Sequence, residues 1–402
     1  MTLRTLEDLG DVADRRAFVR VDYNVPLDGS KVADDSRITA SLPTLRELLH
    51  AGASLVLASH LGRPKGTVDE GARMGPIAER LAELIGGAVG YDPTDVVVDH
   101  SVERRCADLR PGEIVMLENV RFDPGEEAND RGFAGRLARL GDVYVDDAFG
   151  AVHRAHASVA ALPALFMEQR RPAAAGRLLQ QEVEALSKLL DAPARPYVAV
   201  LGGAKVSDKL STVEALVDRV DALLIGGAMA FTFIAARGGE VGKSLVEPER
   251  FDEVLTARKR AEERGVVIQL PEDAVAARES TLEAARTTVP ASGIPKELMG
   301  LDVGPRTVEE FAMIIAEAKT ILWNGPMGVF ELEPFSAGTR GVATAIAGSS
   351  AYSVAGGGDS LLAIKRFGLE DGFDHLSTGG GASLEFLEGR ELPGVEVLEV
   401  DG

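Results

Sequence analysis

The chain has 402 residues, more than one hydrophobic core usually supports, so two domains are expected. Its 63 acidic against 43 basic side chains leave a net charge of −20, which argues against a general nucleic-acid binder and makes any local cluster of Arg and His more telling. The lone cysteine, Cys106, excludes an intramolecular disulfide and a cysteine cage for zinc, and agrees with a reducing cytoplasm.

The opening stretch MTLRTLEDLGDVADRR has acids among its apolar residues and no long apolar core, so it does not read as a signal peptide. No later run reaches the length of a membrane span. Short apolar runs then alternate with longer helical patterns. RAFVRVDYN, ASLVLASH, EIVMLENV and DVYVDDAFG read as strands, with ITASLPTLRELLHAG as a helix among them. In the second half PYVAVLGG, ALLIGG, GVVIQLP, TILWNG and YSVAGGG read as strands, and STVEALVDRV and PERFDEVLTARKRAEERG as helices. This alternation predicts an α/β protein with doubly wound parallel sheets. Pro163, Pro172 and Gly176 punctuate a linker between the halves, and Arg177 to Leu190 read as one amphipathic bridging helix. The boundary is placed near residue 172.

The first half carries basic residues where its strands end. These are His60 and Arg63 in SHLGRP, Arg121 in NVRF, and His153, Arg154 and His156 in HRAH, with Asp22 and Asn24 in VDYN. Arg37 stands at the front of the helix that follows. Guanidinium forks and imidazoles gathered at strand ends suit a small, highly anionic substrate bearing carboxylate and phosphate. The two histidines of HRAH lack further ligands spaced for a metal.

The second half has five apolar runs that end in small-residue turns opening a helix: LGGAKVSDKL, LLIGGAMAFTF, ILWNGPMGVFE, SVAGGGDSLLAIKRFG and LSTGGGASLEFLEG. In a parallel sheet all such turns fall at one edge, where helix N-termini present bare amides to phosphate. Lys205 and Lys209, four apart, are expected on one helix face as a cation clamp on phosphoryl oxygens. Asp359, after the GGG turn, reads both as a helix cap and as a magnesium ligand shared with phosphates. Glu331 suits ribose hydroxyls. One stretch, ARGGEVGKSLVE, ends like a P-loop at Gly242, Lys243 and Ser244. The P-loop glycine required five positions before Gly242 is Arg237, so the motif fails.

With these motifs in place, the sequence resembles the phosphoglycerate kinase family along essentially its full length. RVDYNVPLDG, SHLGRPKG, LENVRF, DDAFGAVHRAHAS, LGGAKVSDK, LWNGPMGVFE, AGGGDS and STGGGASLEFLEG carry the resemblance. It implies two Rossmann-like domains joined by a hinge, about 1–172 with a returning tail at about 388–402, and 173–387. It implies reversible phosphoryl transfer between ATP and 3-phosphoglycerate, with Mg2+, in a cytoplasmic monomer. The residues matching the family's 3-phosphoglycerate site are Asp22, Asn24, Arg37, His60, Leu61, Gly62, Arg63, Arg121 and Arg154. Lys205, Gly300, Asn324, Glu331, Gly357, Gly358, Asp359 and Ser360 match its nucleotide site, Asp359 toward the metal. Arg37, Lys205, Lys209 and Gly380, within the Gly379–Gly381 helix start, match groups that stabilise the transferring phosphoryl. Tyr23 stands where Phe is common, and Ala228 where a third glycine is frequent near adenine.

The nucleophile of such a reaction is a carboxylate ionised at neutral pH, so no general base is needed. Catalysis should consist of positioning and charge neutralisation of an in-line displacement, gated by closure of the domains. A dinucleotide-dependent dehydrogenase predicts a G-x-G-x-x-G turn after the first strand, which DYNVPLDG does not supply. A two-lobed anion-binding protein would explain the Arg and His set but not GGAKVSDK or GGGDS.

Overall fold

The computed structural model describes residues 1–400. Its internal contacts form two units, one of Met1–Glu184 with the C-terminal segment from Glu391, the other of Ala185–Arg390. No helix of the described residues is long and apolar enough to cross a membrane.

In the first unit six parallel strands run in the order Val89–Gly90, Ile114–Met116, Ser54–Ala58, Arg16–Val21, Val143–Asp147 and Ala173–Ala175. Arg16–Val21 is buried along almost its whole length, as expected of a central strand covered on both faces. The strand order reverses between Arg16–Val21 and Val143–Asp147, which makes their carboxyl ends the switch point of this sheet. The Ser36–His50 helix buries Ile38, Leu42, Leu45 and Leu48, one stripe at helical spacing, each contributing about 2 kcal/mol of transfer free energy. The returning tail is present. Leu392, Val395 and Leu398 are buried, Gly394 N–H donates to the Val152 carbonyl at 3.0 Å, and Arg4 N–H donates to the Leu398 carbonyl at 2.9 Å.

Pro172 is followed by an edge strand, Ala173–Ala175, where the sequence suggested a linker. Three alanines have weak strand preference, and their pairing with Tyr144, Val145 and Asp146 decides the matter. The Arg177–Leu190 helix has the bounds its amphipathic pattern predicts. Its start is held by Asp147, whose Oδ1 accepts from Leu178 N–H at 2.9 Å and Leu179 N–H at 3.3 Å.

In the second unit the main sheet runs Val267–Gln269, Ala222–Ile225, Tyr197–Leu201, Thr320–Asn324, Tyr352–Gly356 and His375–Ser377, all parallel. This is the doubly wound dinucleotide-fold order, with its switch point between Tyr197–Leu201 and Thr320–Asn324. Trp323, Phe311 and Ile346 lie in its core. A second, antiparallel sheet of Arg286–Pro290, Asp273–Ala277 and Met299–Val303 was not expected. Its central strand is mostly alanine and its edge strand mostly exposed, so neither carries a clean alternating pattern.

Candidate active site

Parallel pairing brings the strand ends of the first unit to one edge, and the basic residues gather there. Asp22, directly after the central strand, is buried and pairs with Arg37 Nη1 at 2.6 Å from the first turn of the Ser36–His50 helix. Asn24 Oδ1 accepts the Gly62 N–H at 2.9 Å, and Gly62's carbonyl accepts from Arg121 Nη1 at 2.8 Å. Leu61 is buried, and its carbonyl accepts from Asn119 Nδ2 at 2.8 Å. Arg121 Nε is buried with no hydrogen-bond acceptor, and a Glu127 oxygen lies 3.4 Å away. Buried donors are ordinarily paired, so this one stands out at the edge. Arg63 and Arg154 are exposed, and Arg154 Nε is 3.1 Å from His153 Nε2.

Both buried histidines are held neutral. Burial pushes His60 well below the ordinary imidazole range, and the charges of Arg20, Arg121, Arg37 and His156 push the same way. Burial, then Arg121 and Arg20, lowers His156 to about 4. Sequence reasoning passed over Arg20, Glu126 and Ser158, which lie buried behind this edge. Arg20 falls inside RAFVRV, where a charge in a strand gives no sign of which face it occupies.

In the second unit a cavity of about 430 Å³ opens at the switch-point edge, lined among others by Gly203, Phe231, Gly300, Asp302, Glu331 and Asp359. Its floor is made of backbone. Gly203 N–H donates to the Pro326 carbonyl at 3.0 Å, Gly227 N–H to the Met327 carbonyl at 3.1 Å, and Gly202 N–H to the Asn324 carbonyl at 3.0 Å. A Cβ on Gly202 would sit 2.1 Å from the Pro326 carbonyl oxygen. Gly325 has φ +99°, and a Cβ there would meet the Gly202 carbonyl oxygen at 2.3 Å and Lys209 Nζ at 2.4 Å. These glycines therefore let three turns pack onto one another, with their amides bonded to one another's carbonyls and, from Gly325, to Ser360. A Cβ on Gly300 would meet the Phe231 ring at 2.1 Å.

Lys209 projects into this turn cluster, with Nζ donating to the Asn324 carbonyl at 2.7 Å and to Asn324 Oδ1 at 2.5 Å. Burial lowers its ammonium to about 8, against the raising influence of Asp359 and Asp208. Lys205 is exposed in an irregular turn, and the helix begins only at Leu210, so the two lysines do not share a helix face. The ILWNGPMGVFE turn likewise runs into the 3-10 turn Glu333–Phe335 before the helix Ala337–Ala347. Ser360 is buried and accepts from Gly325 N–H at 2.6 Å. Gly357 caps the Gly358–Phe367 helix, and exposed Asp359 stands in its first turn without a capping bond. Gly380, at φ +56°, caps the Gly381–Leu387 helix.

The failed P-loop reaches the same cavity by another route. Lys243 is among its lining residues, while Ser244 Oγ accepts from Gly300 N–H at 2.9 Å. Glu247 accepts from Ser207 N–H at 3.1 Å and Ser207 Oγ at 2.5 Å, steadying the turn that carries Lys205. Asp302, also missed, is buried with its acid raised to about 7 and accepts from Gly338 N–H at 2.7 Å. Only its neighbours in space, Gly328 and Gly338, distinguish it from an ordinary strand aspartate.

Residues 6–390 match the family model described as phosphoglycerate kinase. The phosphoglycerate kinase of Thermus thermophilus is 54% identical over 99% of this chain and 100% of its own length. That of Salinispora tropica is 53% identical, again over 99% of this chain and 100% of its own. Among solved structures, phosphoglycerate kinase from Coxiella burnetii superposes with a TM-score of 0.87 at 40% identity, covering 98% of each chain. The enzyme from Pyrococcus horikoshii gives 0.85 at 33% identity, also over 98% of each.

Proposed function

The chain belongs to the phosphoglycerate kinase family, and from that premise we propose how its two units share the reaction. It is a glycolytic kinase that moves a phosphoryl group reversibly between ATP and the carboxylate of 3-phosphoglycerate. The first unit takes 3-phosphoglycerate on Asp22, Asn24, Arg37, His60, the Leu61–Gly62 backbone, Arg63, Arg121 and Arg154. The second takes the nucleotide in the cavity walled by Gly300, Glu331 and the Gly357–Ser360 turn, with Lys205 on the phosphates and Asn324 holding Lys209. One observation carries this division. The carboxyl edge of the first sheet offers charged side chains with an orphaned Arg121 donor, while the switch point of the second offers close-packed glycine turns around the half-buried Lys209 ammonium.

The chemistry asks for charge neutralisation rather than proton transfer. The attacking carboxylate is already ionised, and His60 and His156, being neutral, serve as hydrogen-bonding groups. Arg37, Lys205, Lys209 and the Gly380 amide are assigned to the equatorial oxygens of the transferring group. Lys209 at about 8 keeps its charge at neutral pH, and a phosphate beside it favours that charge further. The described residues contain no cluster of three or more His, Cys, Asp or Glu able to hold a metal ion. Asp359 beside the cavity fits a magnesium ion that is held mainly by the nucleotide's phosphates, where it would offset their charge. Because the two sets of residues belong to different units, closure of the units is assigned as the gate on turnover. The protein is read as a cytoplasmic monomer, and sedimentation at a mass near 42.5 kDa checks the latter.

The test is a coupled assay with purified protein, ATP, Mg2+ and 3-phosphoglycerate, following 1,3-bisphosphoglycerate by its reduction. Product that requires both substrates is expected, and none would overturn the reading. Small-angle scattering with and without both substrates tests the gate; identical curves would remove it.

A further inference from the structure

Behind the proposed substrate site runs a buried polar chain that the scheme above leaves unused. Arg20 lies on the central strand, in register with Ala58 on one side and Asp146 on the other, and none of its surface is exposed. Its Nε donates to Ser158 Oγ at 2.8 Å, its Nη1 donates to the Val21 carbonyl, and its Nη2 lies 3.1 Å from His60 Nδ1. Ser158 in turn gives Glu126 two hydrogens, from Oγ to Oε1 at 2.6 Å and from its N–H to Oε2 at 2.9 Å.

The polarity of this chain has one solution. A guanidinium has five N–H donors, no acceptor and no accessible deprotonated state. His60 Nδ1 must therefore accept, which leaves the ring hydrogen on Nε2. At the other end Glu126 takes both Ser158 hydrogens, so Ser158 Oγ can meet Arg20 only as an acceptor. We propose that Arg20, anchored through Ser158 and Glu126, is a positioning residue that fixes His60 as the neutral tautomer with its hydrogen on Nε2. The substrate edge then meets a permanent hydrogen-bond donor, never a base at Nε2. An imidazolium is disfavoured as well, because its Nδ1–H would point at an Arg20 N–H. The charges bearing on His60 from the surrounding elements are Arg20, Arg37, Arg121 and His156, all opposing a further proton. Facing Arg20 are Glu126 and Asp146, whose carboxyls burial raises and the Arg20 charge pulls back down.

This inference rests on the assignment of His60 to the 3-phosphoglycerate site. The experiment is long-range 15N–1H correlation of the histidine rings in the labelled wild-type protein, from neutral pH down to about pH 5. Expected is an unprotonated Nδ1 and a protonated Nε2 throughout. A hydrogen on Nδ1, or an imidazolium above pH 5, overturns the proposal. Arg20→Met should release the ring to a tautomer mixture and raise KM for 3-phosphoglycerate about tenfold with kcat less affected, and Arg20→Lys should restore the wild-type ring spectrum. A purely structural Arg20 would cost stability and leave the tautomer unchanged. If Arg20→Met does not fold, the wild-type and Arg20→Lys spectra decide. A locked Nε2–H ring that fails to shift when 3-phosphoglycerate is added would retire the site assignment of His60 while the lock itself stood.

Discussion

In the proposed scheme the two units solve anion binding with different materials. The first uses side chains: guanidinium and imidazole groups supported by buried partners such as Asp22 and Arg20. The second uses backbone: turns at 202–203, 226–227 and 325–327 packed so closely that a Cβ at Gly202 or Gly325 has nowhere to go, with one ammonium among them. A side-chain site is tuned by charge and fails through protonation. A backbone site is tuned by shape and fails through volume. Both follow from the same parallel-sheet geometry, which delivers strand ends to one edge and leaves the loop sequence to choose the chemistry.

The sharpest way to break this contrast is at the side chain that sits among the second unit's glycine turns. Lys209→Ala is expected to lower kcat by about 10²- to 10³-fold with little change in KM, because its charge matters most as the phosphoryl group transfers. An effect confined to KM would make it a ground-state contact. Next in size, Gly325→Ala should cost about 3 kcal/mol of stability in denaturant unfolding, from overpacking and an unfavourable positive φ. It should also weaken nucleotide binding, measured by calorimetry, while 3-phosphoglycerate binding by the first unit persists. Loss of both would show that the units do not fail separately.

Acid and alkali should divide the units as well. His156, held at about 4 against an unfolded value near 6.5, is protonated more readily in the unfolded chain. Its contribution is therefore complete above about pH 6.5 and is lost as pH falls toward 4, with His60 acting in the same direction. Buried Asp147, raised to about 7, acts oppositely over that range, so the comparison is made between wild type and His156→Gln. The stability difference between them should change in the wild type's disfavour on acidification. On the nucleotide side, kcat/KM for the nucleotide should decline above about pH 8 as Lys209 loses its proton. The smallest effect is expected at Lys243. It is exposed at the rim of the cavity, and Lys243→Ala should change activity by no more than about fivefold, the ordinary worth of a solvated charge. A loss approaching that of Lys209→Ala would return the GKS stretch to the catalytic machinery.

Much of this molecule was legible in its residues. The nine apolar runs read as strands all occur in the parallel sheets; eight are largely buried, as covered strands need a continuous apolar run, and only the edge strand Val267–Gln269 is left partly exposed. The Arg177–Leu190 helix was equally plain from its single apolar stripe. The glycine turns were placed at the carboxyl edge of a parallel sheet, where they lie, and the ordered motifs announced the family.

What the residues did not disclose depends on partners distant in the chain. Ala173–Ala175 is a strand because Tyr144–Asp146 lies beside it, not because alanine favours one. Lys209 is separated from Lys205 because the backbone stays irregular until Leu210, held through Ser207 by Glu247 forty positions on. Arg20 and Asp302 look like ordinary charged residues in strands until the sheets form around them. Local pattern records which segments bury surface. Whether a buried charge finds Ser158 and His60, or a glycine finds another turn at van der Waals distance, is decided only when the tertiary fold closes and desolvation makes each unmet partner costly.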